Sequence, residues 1–335
     1  MKQYCYEYSI KFDMVCISGE NRMKKAIVIF LLLPLIIYGA MCLLALQSPG
    51  PGDMSWQSEV KVKDWAKRVD LPSGHLYYLE AGRGIPVLLI HGFADSSYSW
   101  HKNIQTLSEN GFHVFAVDLP GMGQSMPAAG FNYTPEDLAV SLIEFLDYLG
   151  LERVNVVGNS LGGSLALVLA LRHPERVLKL VAVDPACYPN SRHTLYSMVA
   201  RNPWLAVLVK PLIGPWIFRI GLRRSYHDPS KVTKSLYSEK AQVFRRSDWV
   251  DNLIKLGGNY FSKAFDDFSR QYGSISAPTL LIWGATDRLI NTDKFAQRLH
   301  RNMPGSNLVV LEKAGHLPHQ EQPQVFNQLI IDFLR

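Results

Sequence analysis

The stretch Arg153–Leu171, RVNVVGNSLGGSLALVLAL, changes character twice. Val154, Val156 and Val157 predict a short buried strand, Gly158-Asn159-Ser160-Leu161-Gly162 follows at once, and Gly163–Leu171, packed with Ala and Leu, predicts a helix. A G-x-S-x-G pentapeptide set between a strand and a helix is the signature of a nucleophile elbow. The turn is so tight that side chains two residues either side of the serine would collide, so glycine stands at both places. The turn lifts the Ser160 hydroxyl clear of the backbone at the N-terminus of a helix, whose dipole favours negative charge. On its own the pentapeptide could also be a Gly-rich turn with an incidental serine. The rest of the chain decides between the two.

The 335 residues suffice for one large α/β domain with an inserted subdomain. An apolar fraction of 47% with 19% charged residues is that of a globular protein with some membrane character. The net charge of +6 is mild, and no basic run interleaved with aromatics marks a nucleic-acid groove. Cys5, Cys16, Cys42 and Cys187 contain no C-x-x-C pair, so neither a disulfide framework nor a thiolate zinc site is indicated.

Residues 1–25 form an N-terminal tail, and Met23-Lys24-Lys25 within it reads as a second start, which makes 1–22 either an upstream extension or a short cytoplasmic tail. Ala26–Leu46 is 21 residues without a charge, long enough to span a bilayer core and long for a cleaved signal peptide. Arg22, Lys24 and Lys25 precede it, and the next cations are Lys61 and Lys63. The positive-inside rule then places the large domain on the non-cytosolic side of an uncleaved signal anchor, with secretion after signal cleavage as the alternative. Residues 47–60 are a Pro/Gly-rich linker.

From residue 61 to 185, strands and helices alternate. Leu71–Glu80 predicts a hairpin, Ile85–Ile90 a continuous apolar strand, Tyr98–Asn110 a helix, Gly111–Val117 a strand, Thr134–Leu149 an amphipathic helix with Thr134 as N-cap, and Val177–Val183 a further strand. This rhythm implies a mostly parallel, doubly wound sheet. It breaks over 186–272, an aromatic-rich segment with helical patterning and no strand-like run, which reads as a helical cap. It resumes over 273–335 with the strand Thr279–Trp283, the helix Thr292–Arg301, the strand Asn307–Leu311 and the helix Pro323–Leu334.

Acyl transfer by a serine needs a base, an acid to orient the base, and donors for the oxyanion. The chain order Ser, Asp, His is met by Ser160, Asp287 and His316. His316 lies in the loop after the last strand, with His319 and His300 as rivals. Asp287 follows the strand TLLIW, with Asp184 at the end of the preceding strand as the alternative and Asp293, in the first turn of a helix, a weaker one. The oxyanion donors are read as the N–H groups of Leu161 and Phe93, and His91 as a brace for the loop that carries Phe93. Phe93, Trp100, Leu161, Trp204 and Trp216 are candidates for the substrate pocket. No metal motif such as H-E-x-x-H is present, and no cofactor is needed.

The set HGF (91–93), DLPGMGQS (118–125), GNSLGG (158–163), WGATD (283–287) and AGH (314–316) is similar to the motifs of the α/β-hydrolase superfamily, over about residues 71–335. The resemblance implies that fold and a serine hydrolase, and Ser160 at the elbow sets the chain apart from the branches that carry aspartate there. The N-terminal anchor and cap resemble membrane-anchored monoacylglycerol lipase-like proteins, whereas the G-N-S-x-G-G elbow resembles the meta-cleavage-product hydrolases, which break C–C bonds. The leading expectation is hydrolysis of a lipid-like acyl ester through an acyl-enzyme on Ser160, at a membrane. The alternatives are a C–C hydrolase with the same triad and a non-catalytic binding protein of this fold.

Overall fold

The computed structural model describes residues 62–188, 198–261 and 267–335. Val87, Leu88, Leu89 and Ile90 are all fully buried, although successive strand side chains point to opposite faces. A strand of this kind has to be covered on both sides, as in a parallel sheet flanked by helices. The strands are β1 (Ala66–Leu71), β2 (Gly74–Gly82), β3 (Ile85–Ile90), β4 (Phe112–Val117), β5 (Met126–Pro127), β6 (Val154–Asn159), β7 (Val177–Val183), β8 (Thr279–Gly284) and β9 (Ser306–Leu311). They form one sheet of order β1-β2-β4-β3-β6-β7-β8-β9, with β5 on β2. The pairs of β2 with β1, β4 and β5 are antiparallel. All pairs from β4 through β9 are parallel. The mostly parallel sheet expected from the alternation is therefore present, with an antiparallel edge.

The principal helices are α1 (Ile104–Glu109), α2 (Pro135–Tyr148), α3 (Leu161–Arg172), α4 (Pro203–Val209), α5 (Pro215–Ser225), α6 (Lys234–Ala241), α7 (Trp249–Tyr260), α8 (Thr292–Asn302), α9 (Pro318–Glu321) and α10 (Pro323–Leu334). One face of the sheet, with Leu88, Ile90, Val156, Leu180 and Leu281, packs against Leu138 and Leu142 of α2 and Leu165 and Leu169 of α3. The other, with Val87, Leu89, Val157, Val181 and Ile282, packs against Ile104 and Leu107 of α1 and Phe326 and Ile330 of α10. Each such side chain contributes about 1.5–3 kcal/mol by leaving water. Thr134 caps α2 through a reciprocal box with Asp137, worth about 1 kcal/mol.

The helix expected over Tyr98–Asn110 is split into a 3-10 turn, Ser97–Trp100, and α1. Tertiary bonds override the local pattern. The Ser97 N–H donates to buried Asp118 (2.6 Å), and Asn103 Nδ2 donates to His319 O and Asn327 Oδ1. Between β7 and β8, every element among the described residues 198–261 is helical. This insertion is tied to the sheet domain by Tyr260 Oη to Ser164 Oγ (3.0 Å) and Tyr133 Oη to Asn252 Oδ1 (2.9 Å).

One expectation is corrected. Among the described residues no helix is long and apolar enough to cross a membrane. The membrane-anchored placement, and secretion as its alternative, are withdrawn. Both rested on Ala26–Leu46, which, like the tail 1–25 and the linker 47–60, lies outside the described residues.

Candidate active site

Ser160 joins β6 to α3 at φ 55 and ψ −113, a conformation that side chains rarely adopt and that costs about 1–3 kcal/mol. The surroundings enforce it. A Cβ on Gly158 would sit 2.1 Å from Gly162 O, and one on Gly162 would sit 2.2 Å from Ile90 O. The Ser160 N–H donates to Val183 O (2.9 Å), and its carbonyl accepts the N–H groups of Ser164 and Ala186, both at 3.0 Å. The two glycines admit the close approach, and the backbone bonds hold the serine where it is.

His316 lies on the loop after β9 and is 5% exposed. Its Nδ1 bonds Asp287 Oδ2 at 2.7 Å. Asp287 Oδ1 accepts the N–H groups of Leu289 (2.6 Å) and Ile290 (3.0 Å), which fixes the carboxylate. With Nδ1–H donated to a carboxylate, Nε2 is left as the basic nitrogen. The loop is pinned on three sides. The His316 N–H donates to Ser225 O (2.7 Å), Asn159 Nδ2 donates to His316 O (3.1 Å), and the Gly315 N–H donates to Glu321 Oε1 (2.6 Å). Ser160 and His316 line one cavity. Among the described residues no hydrogen bond joins them, as is common before substrate draws such pairs together.

The rival residues are otherwise engaged. His319 is fully buried, bonds Ser99 Oγ at 3.0 Å and packs on Trp100. Burial pushes its imidazole well below the usual range. His300 bonds Ser306 Oγ, and Asp293 is exposed in the first turn of α8. His91 bonds Gly92 O through Nδ1 and accepts the Leu119 N–H at Nε2 (3.0 Å), so both ring nitrogens serve the loop. Asp184 does not bond the histidine. Its Oδ1 accepts the Gly284 N–H at 3.0 Å.

The cavity is about 430 Å³. Gly92, Phe93, Asn159 and Leu317 of the sheet domain line it beside Ser160 and His316, and Phe218, Leu222, Arg224 and Lys240 line it from the insertion. Of the five residues expected in the pocket, Phe93 is there and four are not. Trp100 is fully buried behind the sheet with Phe326. The Leu161 side chain is packed in the core as the first residue of α3. Trp204 is 83% and Trp216 44% exposed, turned to solvent. Aromatic content marked the insertion but carried no information on which face of each helix meets the cavity.

A buried ion pair in the cavity wall was not anticipated. Lys240 of α6 reaches Asp95 at 2.6 and 2.7 Å, with the lysine side chain 1% exposed. Burial alone would raise the Asp95 carboxyl, but the Lys240 ammonium outweighs it and holds the carboxyl below the usual range. Lys240 is 145 residues from Asp95, so no local spacing could signal the pair. Arg224 was legible only as part of the Arg223-Arg224 end of α5.

Strand, elbow, helix and a histidine–aspartate pair at the ends of parallel strands define a class, and comparison with known proteins agrees. A family model described as alpha/beta hydrolase fold matches residues 85–208. The 2-hydroxy-6-oxononadienedioate/2-hydroxy-6-oxononatrienedioate hydrolase of Burkholderia vietnamiensis is 32% identical over 274 residues, 78% of this chain and 91% of that protein. An esterase from Thermogutta terrifontis superposes with TM-score 0.68 and 26% identity, over 81% of this chain and 98% of that one. A meta-cleavage product hydrolase from Pseudomonas fluorescens superposes with TM-score 0.66 and 24% identity, over 80% and 97%. The chain belongs to the α/β-hydrolase fold family. It is a hydrolase of that fold, related in sequence to C–C bond hydrolases and in structure to esterases as well.

Proposed function

We propose that the chain hydrolyses a C–C bond next to a ketone in a small, carboxylate-bearing vinylogous diketone, of the kind named for its bacterial relatives. The observation that carries this reading is Arg224, an exposed arginine that lines the cavity that also holds Ser160 and His316. A guanidinium is the preferred partner of a carboxylate, and a dienedioate carries two. The sequence relatives support the same substrate class. The reading replaces the lipid ester expected from the sequence, which leaned on the withdrawn membrane anchor.

In this mechanism His316 Nε2 takes the Ser160 proton, Oγ bonds the ketone carbon, and the N–H groups of Phe93 and Leu161 receive the oxyanion. Asp287 holds the imidazole tautomer and balances its charge. In the diketo tautomer the C–C bond at the attacked carbon breaks, its electron pair is delocalised onto the second ketone oxygen as a dienolate, and His316 returns to that dienolate the proton it took from Ser160. Water then releases the acid from the acyl-enzyme. The helical insertion, through Phe218, Leu222, Arg224 and Lys240, acts as the cap over the site.

A carboxylic ester is the second reading, favoured by the apolar part of the cavity wall, Phe93, Phe218, Leu222, Leu289 and Leu317, and by the esterase structure at 26% identity. The same triad serves both. The test is turnover of 2-hydroxy-6-oxononadienedioate, followed by loss of its absorbance, beside p-nitrophenyl esters from acetate to palmitate, with Ser160→Ala in parallel. Ser160-dependent cleavage of the dienedioate at a higher kcat/KM than any ester supports the C–C reading. Ser160-dependent turnover of esters alone overturns it in favour of the ester. Loss of neither activity in Ser160→Ala overturns both.

A further inference from the structure

Behind Ser160 two carboxyl groups and an imidazole meet, and the reaction above uses only Asp287 and His316. Asp184 follows β7 at φ 43, a left-handed conformation, with its side chain fully buried. Its Oδ1 accepts the Gly284 N–H, but its Oδ2 has no hydrogen-bond donor among the described residues. One oxygen of Asp184, one of Asp287 and one ring nitrogen of His316 lie within 4.8 Å of each other. Two buried carboxyl groups this close do not both ionise. Asp287 accepts three N–H groups, from His316, Leu289 and Ile290, while Asp184 accepts one. The proton therefore belongs on Asp184.

A divalent cation is the other way to neutralise such a cluster, and the geometry disfavours it. Zinc bound to both groups at about 2.0–2.1 Å would hold an oxygen and a nitrogen roughly 3.3 Å apart, whereas Asp287 Oδ2 and His316 Nδ1 are 2.7 Å apart. That is the separation of a hydrogen bond.

We propose that Asp184 is a positioning residue, whose carboxyl O–H donates a hydrogen bond to Asp287, holds Asp287 against His316 and limits the basicity that Asp287 confers on the imidazole. The proposal rests on the reading of Ser160, His316 and Asp287 as a triad. Burial first, and then the adjoining Asp287, hold the Asp184 carboxyl well above the usual carboxylate range. The titratable groups that face Asp184 are Asp287 after β8, His316 after β9 and Glu321 of α9. Glu321 also favours the neutral acid, and its own oxygens accept the N–H groups of Gly315 and His227. An uncharged Asp184 supports Asp287 without adding a second negative charge beside the histidine.

The test is the pH profile of Ser160 labelling by a fluorophosphonate probe in the full chain. Asp184→Asn presents an amide N–H to Asp287 and a carbonyl to Gly284, so it reproduces the neutral acid. Its labelling rate should stay within about threefold of wild type, with the acid limb unmoved. Asp184→Ala removes the donor, leaves Asp287 more basic, and should move the acid limb to higher pH. Asp287→Asn should lose about 10³–10⁴-fold, as when the orienting carboxylate of such a triad is lost. An acid limb that moves to lower pH in Asp184→Asn, as when a negative charge beside the imidazole is removed, overturns the proposal. So does a loss as large as that of Asp287→Asn, or an unmoved limb in Asp184→Ala. Independently of any variant, the infrared spectrum of the wild-type protein at neutral pH should contain the carbonyl stretch of a protonated carboxylic acid, and its absence overturns the proposal. Failure of the triad reading looks different, because the probe would then still label Ser160→Ala.

Discussion

The carbonyl of Ser225, the last residue of α5, accepts the backbone N–H of His316 at 2.7 Å. The insertion therefore does more than cover the site, because its chain is one of the supports that fix the histidine. The same join continues through His227, whose N–H donates to Glu321 Oε2 at 2.8 Å and whose Nδ1 meets Thr286 Oγ1, next to Asp287.

Gly315→Ala tests this contact. A Cβ there would lie 2.5 Å from Ser225 O and 2.7 Å from His227 N, both backbone atoms with little freedom to yield. The histidine loop must shift, and a displacement of about 1 Å in a catalytic group costs on the order of 100-fold in rate. The rate of fluorophosphonate labelling should fall by about that factor while circular dichroism shows an intact fold. A variant that labels at the wild-type rate would show that the Ser225 contact is dispensable.

Ser160→Gly should separate strain from function. The elbow holds a side chain at φ 55, where glycine is at ease. Removing Cβ and Oγ should raise the unfolding free energy by about 1 kcal/mol and abolish labelling altogether. Urea unfolding beside Ser160→Ala is the control, since alanine keeps the Cβ and the strain.

The contrast between what the sequence disclosed and what it hid has a physical cause. The elbow, the Asp287 strand and the His316 loop were legible because each is a local constraint: glycine where backbones touch, polar residues at strand ends, a fixed order along the chain. The sheet strands were legible because burial on both faces forces apolar runs such as Val87–Ile90. The split of the helix at Trp100 was not, because Asp118, His319 and Asn327 impose it from distant parts of the chain. The rest of the cavity lining was hidden for the same reason. Trp204 and Trp216 sit on helices whose orientation depends on tertiary docking, and the cavity took Phe218, Leu222 and Arg224 from α5 instead.

The Lys240–Asp95 pair should respond to pH and to single substitutions in a way that a surface pair would not. Lys240→Met leaves the Asp95 carboxylate, 13% exposed, without its partner, and breaking a buried pair costs about 3–5 kcal/mol. Adding Asp95→Leu should restore much of that loss. Asp95 is held below its unfolded value by Lys240, so the stability it contributes is whole above about pH 4 and is lost as the pH falls through the folded-state value. Urea midpoints measured down to acid pH should fall less steeply in Asp95→Asn than in wild type. Equal slopes would show that the pair carries no linked proton.

Arg224→Gln is the variant that speaks to the substrate. The side chain lines the cavity from an exposed position at the end of α5, away from the Asp287–His316 pair, so its loss should leave the chemistry intact. A charged hydrogen bond is worth about 1.5–3 kcal/mol, which corresponds to roughly 10- to 150-fold in binding. The kcat/KM for 2-hydroxy-6-oxononadienedioate should therefore fall by about 10- to 150-fold, chiefly through KM, because the carboxylate is held equally in the ground and transition states. The kcat/KM for p-nitrophenyl acetate, which carries no carboxylate, should change by less than about threefold. An equal loss on both substrates would assign Arg224 to the structure of the insertion. An unchanged KM for the dienedioate would remove the observation on which the carboxylate reading stands.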